Sequence, residues 1–113
     1  MKIPIFEQSD AILNAKTWDL AEKYCGGDHD KLMSILNATR EDLKAHIAVH
    51  GFPKGWWRFE PATFDGLYTV EEDGLWVVYF QERERIDYQY PQKFETKSGA
   101  VDFVLDNVYL NNK

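Results

Sequence analysis

His46 and His50 stand four residues apart, which puts two imidazoles on one face of a helix. Two histidines so placed can share a zinc ion. The zinc-protease form of that pair needs a glutamate directly after the first histidine as general base. This chain has Ile47 there, so that chemistry is excluded. His29 is a third ligand only if the fold brings it near. The plainer reading is a pair of surface or cap histidines, because a histidine near a helix C-terminus complements the dipole. Cys25 is the single cysteine and precedes Gly26-Gly27. A nucleophilic thiolate wants a helix N-terminus or a cationic neighbour. Cys25 falls at an expected helix C-terminus, so a structural thiol is the reading. Asn37-Ala38-Thr39 matches a glycosylation acceptor, which has meaning only on a secretory route.

The carboxylates are the other chemical resource. Eight acids face only Arg83 and Arg85 within residues 60–87, a net of −6. A carboxylate pair across a cleft would suit glycosidase-like acid and base work. Glu71-Glu72-Asp73 falls at an expected hairpin tip, where acids are ordinarily solvated. Glu82 and Glu84 alternate with Arg83 and Arg85, a pattern that also protects a strand edge from pairing. Asp87 follows shortly after. The aromatics share this region, with 12 of the 17 lying between Phe52 and Phe94. In Gly55-Trp56-Trp57-Arg58-Phe59, Trp57 and Phe59 alternate as if facing one way into a core. Trp56 then faces the other way, and an exposed tryptophan is a common binding hot spot. Aromatic stacking of single-stranded nucleic acid would need a basic groove, which this acidic segment denies. The candidate partner-binding residues are therefore Glu71, Glu72, Asp73, Glu82, Glu84, Asp87 and Trp56. No catalytic residue, cofactor site or metal site is assigned.

Composition bounds the reading. A chain of 113 residues is expected to form one domain, 1–113. It can bury enough surface to need no metal or disulfide staple. One cysteine excludes an internal disulfide framework and makes a reducing compartment the easier setting. The N-terminal stretch has no long apolar run, so no signal peptide and no membrane span are expected. A net charge of −6 argues against direct nucleic-acid binding.

These residues need elements to hold them. Residues 1–52 read as a helical half. Ser9 is a candidate cap for a helix over 11–24, which Gly26-Gly27 stops. A second helix spans 30 to about 38. Thr39 caps a third with Glu41 and Asp42 in its first turn, closed by Gly51. Whether the second and third are one bent helix is open at this level. Residues 56–113 change period. Leu67-Tyr68-Thr69-Val70 is a strand entered through Asp65-Gly66. Asp73-Gly74 is a hairpin turn. Leu75-Trp76-Val77-Val78-Tyr79-Phe80 is a central strand, covered at least in part on both sides. Ile86, Tyr88 and Tyr90 alternate as a half-buried strand that Pro91 ends or bends. A last helix, capped by Thr96 or Ser98, buries Val101, Val104, Leu105 and Val108. The expected fold is α+β and two-layered: N-terminal helices, an antiparallel β-meander of three to four strands, and a C-terminal helix packed on the sheet.

The aromatic strand running into Gln81-Glu82-Arg83-Glu84, and the helix start Phe94-Glu95-Thr96-Lys97 with Ala100, Phe103, Val104 and Leu105 behind it, resemble small bacterial immunity proteins. These are the partners of toxins in contact-dependent growth inhibition and related polymorphic toxin systems. Glu84 stands where that family often has Gly, and Glu95 precedes Thr96 where the family's acid follows. The resemblance implies a non-enzymatic cytoplasmic protein that neutralises a cognate toxin C-terminal domain by occluding its active site. Toxins that cut nucleic acid present a basic cleft to phosphates, and an acidic inhibitor complements one. A basic nuclease is thus the expected partner, with no membrane involved. Two alternatives come from other classes: an adaptor binding a basic cellular protein or peptide, and a small enzyme using a carboxylate pair.

Overall fold

Proline's fixed φ and side-chain oxygens at caps decide where most of the described helices begin. In a computed structural model, which describes residues 2–53, 55–82, 85–86 and 91–110, Pro4 stands at the N-cap of α1 (Ile5–Leu13). The expected single helix over 11–24 is instead two helices. Ser9 is buried within α1 and does not cap it. The break comes at Ala15, whose φ of 56° is left-handed. The Lys16 N–H reaches back to the Ala11 carbonyl at 2.8 Å, the closure of a Schellman-type end. Glycine usually fills that position, so an alanine there hides the break from sequence. α2 (Thr17–Cys25) does end as expected, on Gly26 at φ 59°. α3 (His29–Ile35) starts on Asp28, whose carboxylate accepts from the Lys31 N–H. It stops at extended Leu36, before the expected 38. α4 (Arg40–His50) is therefore separate, opened by a reciprocal Thr39–Asp42 capping box.

The chain divides into two compact units, one from Met1–Gly51 with Leu105–Lys113, the other Phe52–Val104. In the first, Ile12, Leu13, Leu20, Leu32, Leu36, Leu43 and Leu105 are buried. Gln8, 1% exposed, uses its whole amide. Its Nε2 donates to the Ile3 carbonyl and Asn37 Oδ1, each at 2.8 Å. Its Oε1 accepts from the Asn37 and Ala38 N–H groups at 2.8 and 2.9 Å. One side chain so satisfies the backbone between α3 and α4, whose N–H groups would otherwise be orphaned. A π turn, Leu105–Tyr109, closes with the Leu110 N–H on the Leu105 carbonyl. Arg40 Nη1 holds Asp106 Oδ2 at 2.7 Å.

The second unit is a sheet with one helix. β2 (Gly66–Glu72) and β3 (Leu75–Glu82) pair antiparallel from Gly66↔Gln81 to Glu72↔Leu75. Asp73 and Gly74 close the hairpin at φ 54° and 81°, the double positive φ of a two-residue type I′ turn. β4 (Arg85–Ile86) and β5 (Gln92–Phe94) both pair antiparallel with β3. β1 (Trp57–Arg58) corrects the expected purely antiparallel meander: it lies parallel to β2, Trp57 against Leu67. Gly66 permits this, because a Cβ there would collide with the Trp56 carbonyl oxygen. Alternation of Trp57 and Phe59 marks a strand but not its direction. Pro91 precedes β5, a strand the sequence reading did not contain. Tyr88 and Tyr90 lie outside the described residues.

The pleat sends Trp76, Val78, Phe80 and Glu82 to one face, and Val77, Tyr79 and Gln81 to the other. α5 (Lys97–Val104) lies on the Trp76 side, with Phe103 against Phe94, the cross-strand partner of Trp76. Thr96 Oγ1 caps α5, accepting from the Gly99 N–H. On the other face Tyr68 and Tyr79 stack at 5.2 Å within a cluster that includes Val70 and Val77. The segment before β2 covers it: Ala62 packs there, and Gln81 Nε2 and the Tyr68 hydroxyl donate to the Phe64 carbonyl.

Candidate functional site

The expected binding acids do not form one cluster. Glu71 and Glu72 end β2, with Asp73 in the turn between β2 and β3. Glu82 ends β3 one residue beyond the Gln81↔Gly66 pair. Trp76, the register partner of Glu71, is six residues back along β3, so the two acid groups are about 20 Å apart on an extended strand. Glu71 and Glu82 therefore cannot act as a carboxylate pair, whose members need to lie within about 10 Å. All four carboxylates are exposed and make no ion pair or side-chain hydrogen bond among the described residues. Glu84 and Asp87 lie outside the described residues.

Trp56 sits at the Glu82 end. Its carbonyl accepts from the Leu67 N–H at 2.9 Å, which fixes its backbone to the start of β2. The residue is 43% exposed, and its ring lies 6.0 Å from that of Phe80, a residue 49% exposed. Phe64 is also exposed, with the Arg58 guanidinium 4.6 Å over its ring. Phe80 and Phe64 are binding candidates that sequence reasoning passed over. The available signal for Phe80 was parity: once Val77 and Tyr79 point inward together, Phe80 must share the opposite face with Glu82.

The histidines separate. His46 and His50 do share a face, their rings 4.6 Å apart. The expectation of surface histidines is corrected for His46, which is buried because α1 packs on α4. Phe6 lies 5.1 Å from the His46 ring, and Asp10 Oδ1 lies 3.7 Å from its Nε2. Burial holds the His46 pKa below its usual value, the His50 charge adds to this, and Asp10 opposes it. His29 is elsewhere, stacked on Trp18 at 4.0 Å and 3.0 Å from Thr17 Oγ1. Among the described residues no group of three or more His, Cys, Asp or Glu is placed to hold a metal. Cys25 stands at the C-terminal end of α2, where no positive dipole activates it. No helix among the described residues is long and apolar enough to cross a membrane. No protein-family model matches the chain, and no curated protein or solved structure resembles it significantly.

Proposed function

We propose that this chain is an immunity protein that binds a cognate bacterial toxin domain with a basic, nucleic-acid-cutting cleft and blocks it by occlusion. The observation that carries the reading is the exposed pair Trp56 and Phe80, ring to ring at one end of the sheet beside Glu82. Large aromatics held in place at a surface are what binding hot spots use. The acids at the hairpin tip belong to the same reading. A standard interface of about 800 Å² per partner is about 30 Å across, so one footprint spans both ends of the hairpin. An adaptor for a basic cellular protein would use the same surface, and genetic context separates the two. Co-expression with the C-terminal domain encoded directly upstream is the test. Rescue of growth and co-purification are expected for the native chain. Trp56→Ala with Glu82→Lys is expected to lose both while keeping its circular dichroism spectrum. Full protection by that double variant would show that the surface is wrongly assigned.

A further inference from the structure

The Lys97 ammonium is held by rings instead of by a carboxylate. Its Nζ lies 5.5 Å from the Phe52 centroid, 5.0 Å from Phe59 and 5.6 Å from Trp76. All three distances fall within the range of cation–π attraction. Lys97 makes no ion pair among the described residues. It is also the first residue of α5, where the helix dipole disfavours a positive charge. A cation in a poor electrostatic position, with no ion pair among the described residues, points to the rings as what holds it.

The ring cluster is built. Trp57, 3% exposed, forms its floor and donates from Nε1 to Thr69 Oγ1 at 2.9 Å. Phe52 and Phe59 pack against each other at 4.4 Å and against Trp57 at 5.1 and 5.2 Å. Phe52, Phe59 and Trp76 are each only half-buried, and Lys97 is exposed. Glu71 is the cross-strand partner of Trp76, so a carboxylate stands next to the cluster on the same face. Several aromatic faces beside an acid are the chemistry that recognises alkylammonium groups.

We propose that Phe52, Phe59 and Trp76 form a receptor for an alkylammonium group, filled in cis by Lys97 and open to an external cation when that side chain leaves. The site is separate from the Trp56–Phe80 pair and stands whether or not the toxin reading does. Because the internal ligand is tethered, it competes at an effective concentration in the millimolar range or above. An external ligand therefore binds the native chain weakly.

The test uses the full chain and two probes, choline and its neutral isostere 3,3-dimethylbutan-1-ol. In the native protein the Lys97 Hε resonances are expected upfield of those of free lysine, from the ring currents. Lys97→Ala is expected to bind choline at least about tenfold more tightly than the native chain, since the competing tethered amine is gone. The alcohol is expected not to bind measurably, and Lys97→Ala with Trp76→Ala to lose choline binding. Unshifted Lys97 resonances in the native chain would overturn the proposal without any variant. So would a folded Lys97→Ala protein that does not saturate with choline, or that binds choline and the alcohol equally.

Discussion

Protonation of His46 works against the folded chain. The ring is buried between α1 and α4, and its neighbours there are Phe6, Asp10 and His50. Desolvation and the His50 charge both disfavour the imidazolium, and the Asp10 carboxylate that opposes them lies at 3.7 Å, too far for a hydrogen bond. The folded state thus binds this proton more weakly than the unfolded chain, whose value is near 6.5. Stability is full above that value and falls as the pH drops through it and on toward the lower folded pKa. Glu7 has the opposite arrangement. The Tyr24 hydroxyl donates to it at 2.7 Å and lowers its pKa, so its contribution is lost only below about 4.5. Urea midpoints are expected to fall between pH 7 and pH 5 in the native chain and to stay level over that interval in His46→Gln. An equal slope in both proteins would assign the effect to another group.

The elements show what local chemistry announces and what it conceals. The last helix's cap is narrowed by sequence only to Thr96 or Ser98, and falls on Thr96. The Thr39–Asp42 box, the Asp73-Gly74 turn and Gly26 each combine a residue type with a required geometry, and each reads directly from sequence. The parallel seating of β1 does not, since it depends on the close approach of the Trp56 carbonyl to Gly66, a contact between residues ten apart. Nor does the split between α1 and α2, where Ala15 carries a glycine's conformation. Among the candidate site residues, exposure of Trp56 was legible from alternation with Trp57. The distance between Glu71 and Glu82 was not, because it follows from which residues sit at the two ends of one paired hairpin. Ala15 yields a prediction at this scale. A left-handed conformation costs an L-residue about 1–2 kcal/mol, part of which glycine gives back as chain entropy. Ala15→Gly is accordingly expected to stabilise the chain by about 0.5–1 kcal/mol in urea unfolding, against the usual direction for alanine to glycine near a helix. A loss of stability would mean that the turn after α1 is not left-handed in solution.

Over the whole molecule, charge and aromatic surface divide the labour of binding in the proposed reading. The unit Phe52–Val104 holds ten acids against six bases, and its exposed acids mark both ends of the β2–β3 hairpin. Such charges act at a distance, attracting a basic partner before contact and losing reach as salt shortens the Debye length. In that reading Trp56 and Phe80, ring against ring, act only once surfaces touch, and then chiefly on how long they stay together. For the proposed toxin partner the two contributions are expected to part in the rate constants. Glu71→Lys with Glu72→Lys should lower the association rate by about tenfold at low salt and flatten its salt dependence, with dissociation changed little. Trp56→Ala should leave association within about twofold and speed dissociation by about thirtyfold, the equivalent of about 2 kcal/mol for a hot-spot aromatic. Stopped-flow association and surface-plasmon-resonance dissociation, each from low to physiological salt, read the two separately. If the tip variant changes only dissociation, those acids sit inside the contact and do not steer. If it changes neither rate, the partner meets the Trp56 end alone, and Glu82 is the acid it reads.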